Sequence, residues 1–348
     1  MEFHYHHYRS QLMDILFFPI MKKSLLKEQL DVMQASEVEA VQDVLEISEQ
    51  FIGLLQPYQK RIKKYFLKVG ISHLPEILYR QLLEEGQDPK DLEELLALFE
   101  ACSAQTIQDL VLSLLTKEER KKPLEEVDLV SLLEQQEMTD AERWRFNWAF
   151  HHPMELIQGL CELYHDLYPL YQPFMDKYQK EVRDFAQTVD LEALYQDSEF
   201  DVMGMLYNTQ KTDCQLFVLS PWYIFNIITY DPDKDSPAYF YIYPRVGHFL
   251  KTRSKLTDKT VRLMLKSLSD ENRYKVLREL VKEDAKSKDI AEKLGITAAN
   301  VSFHTQKLVN AQLLFFNTDP GSNNKYRLNK PALKMLLEQV AEDFGIKD

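Results

Sequence analysis

The sequence predicts a mainly α protein with a small amount of β structure. An N-terminal helical domain ends in a small antiparallel sheet, and a winged helix-turn-helix follows at the C-terminus. Three observations support this fold class. Apolar residues recur at helical spacing from about residue 37 to residue 190, and an aromatic-rich, strand-like stretch follows them. From residue 251 onward, two short helical patterns joined by a glycine turn precede a hairpin pattern.

The helical patterns are long and contain few chain breakers. The chain has 348 residues but only nine glycines, and its hydrophobic content of 45% is ample for more than one core. Helices are predicted at 104–116, 127–136, 139–151 and 153–189. Pro169 and Pro173 are expected to break the last of these helices.

Strand-like patterns and aromatic side chains concentrate between residues 199 and 249. The runs 215–219, 223–230 and 238–243 have the composition of strands. The polar segment 231–235 between the last two runs predicts a hairpin loop. The aromatic side chains could line a pocket for a small-molecule effector, or they could simply pack the sheet. The candidate pocket residues are Trp222, Tyr223, Tyr239 and Tyr241.

Charge divides the chain near residue 250. The net charge is −13 overall, but residues 251–348 carry a net charge of +6 and residues 1–250 a net charge of −19. A basic segment on an acidic body is expected where only one part of a protein meets phosphates. We therefore predict an acidic regulatory or dimerisation domain at 1–250, with its small sheet near 199–249, and a basic domain at 251–348.

The basic domain contains signals for successive helices joined by a tight turn. An apolar helix is followed by Asp270, which can cap a second helix. Ser287 can cap a short helix that ends at Gly295, a residue type that tolerates the left-handed backbone conformation. Thr297 can then cap the helix 298–310. Two short helices joined by a turn that contains glycine form an arrangement with which many proteins read DNA.

The helix 298–310 is the predicted recognition helix. Val301, Thr305 and Leu308 share its core-facing side, while its opposite side carries small and polar residues that could enter a major groove. Gln306 could bond base edges, and the amides of the first helical turn suit a phosphate. Three further contacts are predicted on the hairpin that follows this helix. The full set of predicted DNA contacts is Thr297, Ala298, Ala299, Asn300, Ser302, Phe303, Gln306, Lys307, Asn323, Asn324 and Lys325.

A hairpin and a closing helix follow the predicted recognition helix. Residues 313–317 and 325–329 are strand-like, and the segment 318–324 between them has the composition of a polar, flexible tip. Pro331 can open an amphipathic helix after the hairpin. A hairpin in this position is typical of a wing, so the pattern predicts a winged helix-turn-helix.

These motifs resemble the ArsR-type winged-helix repressors, in the C-terminal domain only. Residues 268–277 (LSDENRYKVL) look like the Leu-Ser-Asp-x-x-Arg-x-x-Ile-Leu pattern of that family. Residues 289–296, followed by 301–304, are similar to its reading segment, and 325–328 match the returning strand of its wing. The resemblance implies a DNA-binding transcription regulator.

Two residues depart from the family pattern, and the ligands of its metal-sensing members are missing. Thr305 stands where the family usually has leucine, and Gln312 replaces the glycine that commonly precedes Leu313. Residues 251–348 contain no cysteine and only one histidine, His304. Metal-sensing members use a thiolate pair or a cluster of histidines and carboxylates. We therefore expect no regulation by metal, and we predict no metal site and no cofactor.

The N-terminal domain has the sequence features of a non-catalytic region. It contains no phosphate-binding glycine-rich loop, nucleophile elbow or HExxH pattern, so no enzyme activity is expected. The chain has no apolar run long enough to cross a bilayer and no secretory signal, which predicts a cytoplasmic protein without membrane contact. His4, His6 and His7 are spaced closely enough to bind a metal, but no metal site is predicted there.

The predicted function is sequence-specific regulation of transcription, with double-stranded DNA as the partner. A homodimer is expected because one recognition helix reads few base pairs and a two-fold protein matches palindromic sites. The N-terminal domain would then dimerise, bind an unknown effector, or do both. Two alternatives remain open: a winged helix that contacts proteins instead of DNA, and an enzyme domain with a fused regulatory winged helix.

Overall fold

The computed structural model describes residues 1–21, 41–69, 72–116, 128–134, 136, 138–196, 202–224, 226–231, 235–253, 258–282, 287–316 and 326–346. The chain is mainly α-helical with small sheets, which confirms the predicted fold class. Two hydrophobic cores form among these residues. The first core draws on residues between Leu12 and Val246, and the second on residues between Val261 and Leu336.

The helices that build the first core each bury one apolar face. Two of the predicted ranges, 104–116 and 139–151, agree with the observed helices to within one residue, and the range 127–136 contains a shorter helix. The helices are α1 (His7–Phe17), α2 (Gln42–Leu55), α3 (Gln59–Tyr65), α4 (Leu74–Glu84), α5 (Leu92–Ala101), α6 (Ala104–Thr116), α7 (Leu129–Glu134), α8 (Asp140–His151), α9 (Pro153–Thr188), α10 (Leu191–Tyr195), α11 (Val202–Asn208) and α12 (Val246–Arg253).

Helix α9 is continuous over 36 residues, so the predicted break at Pro169 and Pro173 is wrong. Both prolines lie on the solvent side of the helix, where water can bond the carbonyl groups that lose an amide partner. On the opposite side, a stripe that includes Tyr164, Tyr171 and Tyr178 is buried in the first core. Burial of this stripe stabilises the helix enough to offset the two missing hydrogen bonds.

The sheet of the first region (residues 1–250; the second region is 251–348) is mixed, whereas the sequence predicts an antiparallel one. Its strand order is β1-β4-β6-β5, with β1 at Glu2–Tyr5, β4 at Asp213–Val218, β5 at Ile227–Thr229 and β6 at Ala238–Ile242. Strands β5 and β6 pair antiparallel, as predicted, but β4 pairs in parallel with both β1 and β6. Parallel partners are joined by long crossovers, so strand composition alone does not reveal them. Strands β2 (Lys68–Val69) and β3 (Ser72–His73) form a separate short hairpin.

The second core is built by four helices, a hairpin and a closing helix. These elements are α13 (Asp258–Ser269), α14 (Glu271–Leu280), α15 (Ser287–Leu294), α16 (Ala298–Asn310), β7 (Leu314–Phe316), β8 (Tyr326–Leu328) and α17 (Lys330–Asp343). Strands β7 and β8 pair antiparallel. The predicted domain division at residue 250 falls inside α12, whose first residue, Val246, belongs to the first core.

Within the described ranges, no single helix is long and apolar enough to cross a membrane. One bent pair of helices, Leu92–Ala101 with Ala104–Leu115, has the length and composition of a membrane span when the two helices are taken together.

Candidate nucleic-acid interface

Helices α15 and α16 form a helix-turn-helix. Gly295 ends α15 with a φ of +66°, and the amide of Ile296 donates to the carbonyl of Ala291 at 3.0 Å. The side chain of Thr297 caps α16 by accepting a hydrogen bond from the amide of Asn300 at 3.1 Å. The turn and the cap therefore occur at the residues that the sequence indicates.

One face of α16 anchors the helix in the second core. Val301 and Leu308 are completely buried, and Thr305 is almost so. The hydroxyl of Thr305 donates to the carbonyl of Val301 at 2.8 Å, four residues earlier in the helix. This local bond lets a threonine occupy a buried position where the ArsR pattern usually has leucine.

The other face of α16 presents polar and aromatic side chains to solvent. Phe303 is 58% exposed, and the ammonium group of Lys307 lies 5.5 Å from the centre of its ring. Gln306 is exposed, and its Nε2 donates to Oδ1 of Asn310 at 2.8 Å. An exposed amide, an aromatic ring and an ammonium group are side chains that contact base edges, thymine methyl groups and phosphates.

The remaining predicted contacts lie at the start of α16 and at the wing. Thr297 and Asn300 are exposed, and Ser302 is half-buried. Ala298 and Ala299 are the first two residues of the helix, where backbone amides point out of the helix end. The wing residues Asn323, Asn324 and Lys325 lie outside the described residues. The structure therefore brings the described members of the predicted set together on one helix and its cap.

Asn329 is a residue whose role the sequence analysis missed. It is completely buried, and its Nδ2 donates to the carbonyl of Gln312 at 2.9 Å. Its Oδ1 also accepts from the amide of Ala332 at 3.1 Å, which caps α17. One side chain thus joins the end of the recognition helix, the wing strands and the closing helix. An asparagine two residues before Pro331 is a recognisable helix-cap signal.

The four aromatic candidates for an effector pocket lie in the first core. Trp222, Tyr223, Tyr239 and Tyr241 are each at most 2% exposed. Their polar atoms donate hydrogen bonds to other protein groups. Nε1 of Trp222 donates to the Tyr171 hydroxyl, and the hydroxyl of Tyr223 donates to the backbone carbonyl of Asp14. The hydroxyl of Tyr239 donates to Glu84, and that of Tyr241 donates to Glu76. Burial raises the pKa of Tyr241 well above its usual value, and Glu76 raises it further. These contacts favour the packing alternative for the four side chains.

The N-terminal histidines do not form a cluster with one another in the described part of the chain. His4 instead lies with Glu2 and Asp213, and their possible ligand atoms are within 4.8 Å of one another. Nε2 of His4 lies 2.9 Å from Oδ1 of Asp213, and Nδ1 of His7 bonds to the hydroxyl of Tyr5. All three members of the cluster are at least partly exposed, and the contact between His4 and Asp213 joins β1 to β4 at the surface.

Comparison with known proteins defines the class of the C-terminal region. Residues 270–314 match the family model described as "Bacterial regulatory protein, arsR family", which confirms the resemblance for this segment. The match extends from the cap of α14 through α15 and α16 to the start of β7. No curated protein and no solved structure matches the chain. The segment is a helix-turn-helix domain of the ArsR type, and it identifies the protein as a DNA-binding transcription regulator.

Proposed function

We propose that the protein is a sequence-specific, non-catalytic transcription regulator that acts in the cytoplasm and binds double-stranded DNA as a homodimer. The observation that carries this proposal is the two-sided character of α16. Val301 and Leu308 hold one side in the core, while Phe303, Gln306 and Lys307 lie exposed on the other. An anchored helix with an exposed polar face can enter the major groove without unfolding.

Each exposed side chain has a distinct proposed role on DNA. Gln306 reads a base edge, for which it exchanges its bond to Asn310 for bonds to a base such as adenine. Phe303 contacts a thymine methyl group, and Lys307 contacts a backbone phosphate. The net charge of +6 on residues 251–348 supports attraction to phosphates.

A homodimer would place two copies of α16 on one palindromic site. Half-sites read by such dimers lie about 34–36 Å apart along the duplex. Exposed apolar side chains in the second region, including Leu265 and Leu337, support burial against a second copy. The acidic first region, with a net charge of −19 over residues 1–250, would face away from the phosphates. In the proposal this region dimerises the protein, binds an effector, or does both.

The decisive experiment measures DNA binding by the full-length protein with a site obtained from a genome-wide pull-down. Changing Gln306→Ala should alter the preference at one base position by about 1–3 kcal/mol. Changing Lys307→Gln should weaken binding to all sequences. It should also lower the salt slope, which is the steepness with which the logarithm of the binding constant falls with the logarithm of salt concentration, by about one. Lys334→Gln is the matched control, because Lys334 is an exposed lysine of the same region on α17.

Two results would contradict the proposal. The first is the absence of binding to any duplex at low salt by protein that is shown to be folded. The second is binding whose affinity does not depend on salt, which is expected of a winged helix that contacts proteins. The proposed independence of metal predicts that zinc, cadmium and arsenite leave operator affinity unchanged.

A further inference from the structure

A groove of about 450 Å³ lies beside the reading face of α16, which is the exposed face that carries Phe303, Gln306 and Lys307. Its walls come from α13, from the cap and first turn of α14, and from the second half of α16. This volume lies within the range of small-molecule sites, roughly 300–1,000 Å³. The charged and aromatic residues that line the groove are Lys266, Asp270, Arg273, Phe303, His304 and Lys307.

The charges that line the groove are mainly positive. Lys266, Arg273 and Lys307 contribute three cationic groups, against the single carboxylate of Asp270. That carboxylate is already engaged: Oδ1 accepts from the amide of Arg273 at 2.9 Å, and Oδ2 lies 3.1 Å from the Arg273 guanidinium. These bonds hold the pKa of Asp270 below its usual value, so it remains charged and paired.

The two lysines of the groove have no carboxylate partner in the described part of the chain. The ion pairs of this region involve Arg273, Lys275, Lys282, Lys293 and Lys334, and not Lys266 or Lys307. Both lysine side chains are exposed. Two ammonium groups on facing helices therefore leave a net positive charge for an anion to neutralise.

The groove also offers a donor and a flat surface. The imidazole of His304 lines it, and Nδ1 of that ring is buried without a hydrogen-bond partner among the described residues. The exposed ring of Phe303 stands at the same wall, with the Lys307 ammonium group close to it. A ligand with an anionic group and a planar part would contact both features.

We propose that this groove binds a phosphate group through Lys266, Lys307 and His304. Phosphate suits the site because it can accept bonds from several cationic donors at once, and lysine is a common phosphate ligand. The phosphate has two possible sources, a free phosphorylated molecule or the DNA backbone beside the reading face. The second source rests on the proposed DNA-binding function, whereas the first does not.

Occupancy by a free ligand would regulate DNA binding. Phe303 and Lys307 belong both to the groove and to the proposed reading face. A ligand bound between α13 and α16 would engage Lys307 and place negative charge beside the phosphates of the duplex. Ligand and DNA would therefore weaken each other's binding by the same factor.

The first measurement is a calorimetric titration of the full-length protein with inorganic pyrophosphate at low ionic strength, in the absence of DNA. Lys266→Gln should weaken pyrophosphate binding about tenfold, as expected for the loss of one charge-assisted hydrogen bond. Lys334→Gln should leave it unchanged. Hydrogen exchange of the α16 amides in each variant verifies that the helix remains folded. The ring resonances of His304, assigned with His304→Gln, should shift on binding.

The second measurement titrates the same variants with a duplex and follows the salt dependence. If the groove holds a free phosphate, pyrophosphate binds saturably, depends on Lys266 and displaces the duplex. If it holds a backbone phosphate, Lys266→Gln weakens duplex binding and lowers the salt slope by about one, while Lys334→Gln does neither. Pyrophosphate binding without any duplex binding would overturn the proposed function and leave the phosphate site standing.

The phosphate site is overturned if Lys266→Gln, shown to be folded, matches the unchanged protein in both titrations. It is also overturned if pyrophosphate binding is lost equally in Lys266→Gln and Lys334→Gln, since that result indicates unspecific attraction to a basic surface.

Discussion

The two cores of this protein place their polar groups in opposite ways. In the first core, the ionisable side chains of Asp14, His73 and Glu76 are enclosed among apolar and aromatic residues. Around the second core, the buried polar side chains in the described ranges are neutral, including Thr305 and Asn329. Its charged side chains in the described ranges are at least partly exposed. The first region therefore encloses ionisable side chains within its fold, and the second keeps its charged groups accessible for binding.

Asp14 shows how the first region encloses a charge. Its carboxylate accepts three hydrogen bonds of 2.6 Å each, from the amide and the hydroxyl of Ser220 and from the hydroxyl of Tyr171. These groups come from α1, from α9 and from the segment after β4. Burial raises the pKa of Asp14 to about 6, although these bonds act in the opposite direction. One carboxylate thus joins three segments that are far apart in the chain.

The largest effect is expected when this enclosed carboxylate is removed. Asp14→Ala would leave three buried donors without their acceptor, which should lower the free energy of unfolding by about 3–5 kcal/mol. Tryptophan emission during urea unfolding is a suitable probe because all three tryptophans, Trp144, Trp148 and Trp222, belong to the first region. Asp140→Ala is the control: its side chain is fully exposed, and the change should leave the free energy of unfolding nearly unchanged. Equal losses in both variants would contradict the comparison.

The stability that Asp14 contributes should depend on pH. Because the pKa of Asp14 is about 6 in the folded protein and 3.8 in the reference state, the folded protein binds its proton more tightly. The contribution of Asp14 to stability should therefore fall as the pH rises from about 4 to about 6, by up to about 3 kcal/mol. Asp14→Asn cannot titrate, so the unfolding free energy of the unchanged protein minus that of the variant should decrease over this interval. A constant difference would show that Asp14 does not titrate there.

In the second region, a smaller effect is expected from a helix cap. Thr297→Ala removes the acceptor for the amide of Asn300 and should destabilise α16 by about 1 kcal/mol. Hydrogen exchange of the α16 amides measures this loss, and tryptophan emission should not change. Thr297→Ser keeps the hydroxyl and should retain most of the protection. A change in tryptophan emission would show that the two cores do not respond separately.

The smallest expected effect is a gain in stability. Gln312 adopts a φ of +60° at the position where the ArsR pattern usually has glycine. Gln312→Gly should relieve this left-handed strain and stabilise the second region by about 0.5–1 kcal/mol. Gly295→Ala should instead destabilise the second region. Gly295 has a similar φ, and the space around it is open, so only the backbone conformation opposes a side chain there. Differential scanning calorimetry of the two variants tests both signs.

The two regions also differ in how far the sequence predicts them. In the second region, the cap at Thr297, the turn at Gly295 and the inward face of α16 all occur as predicted. In the first region, Pro169 and Pro173 were expected to interrupt α9 and do not. Each proline removes one hydrogen bond from the helix, which is a local effect. The burial that offsets this loss depends on the rest of the core, which packs against the apolar stripe of α9.

The sequence by itself determined the helical character of the chain, the helix-turn-helix and the residues on each side of α16. These features depend on residues within a few positions of one another, and caps and periodicity act over that distance. Only the tertiary structure decided the parallel pairing of β1 with β4, the enclosure of Asp14 and the groove between α13 and α16. These features bring together residues that are distant in the chain, 206 positions apart for Asp14 and Ser220. No local pattern records such pairs, because their contact energy exists only once the intervening chain has folded.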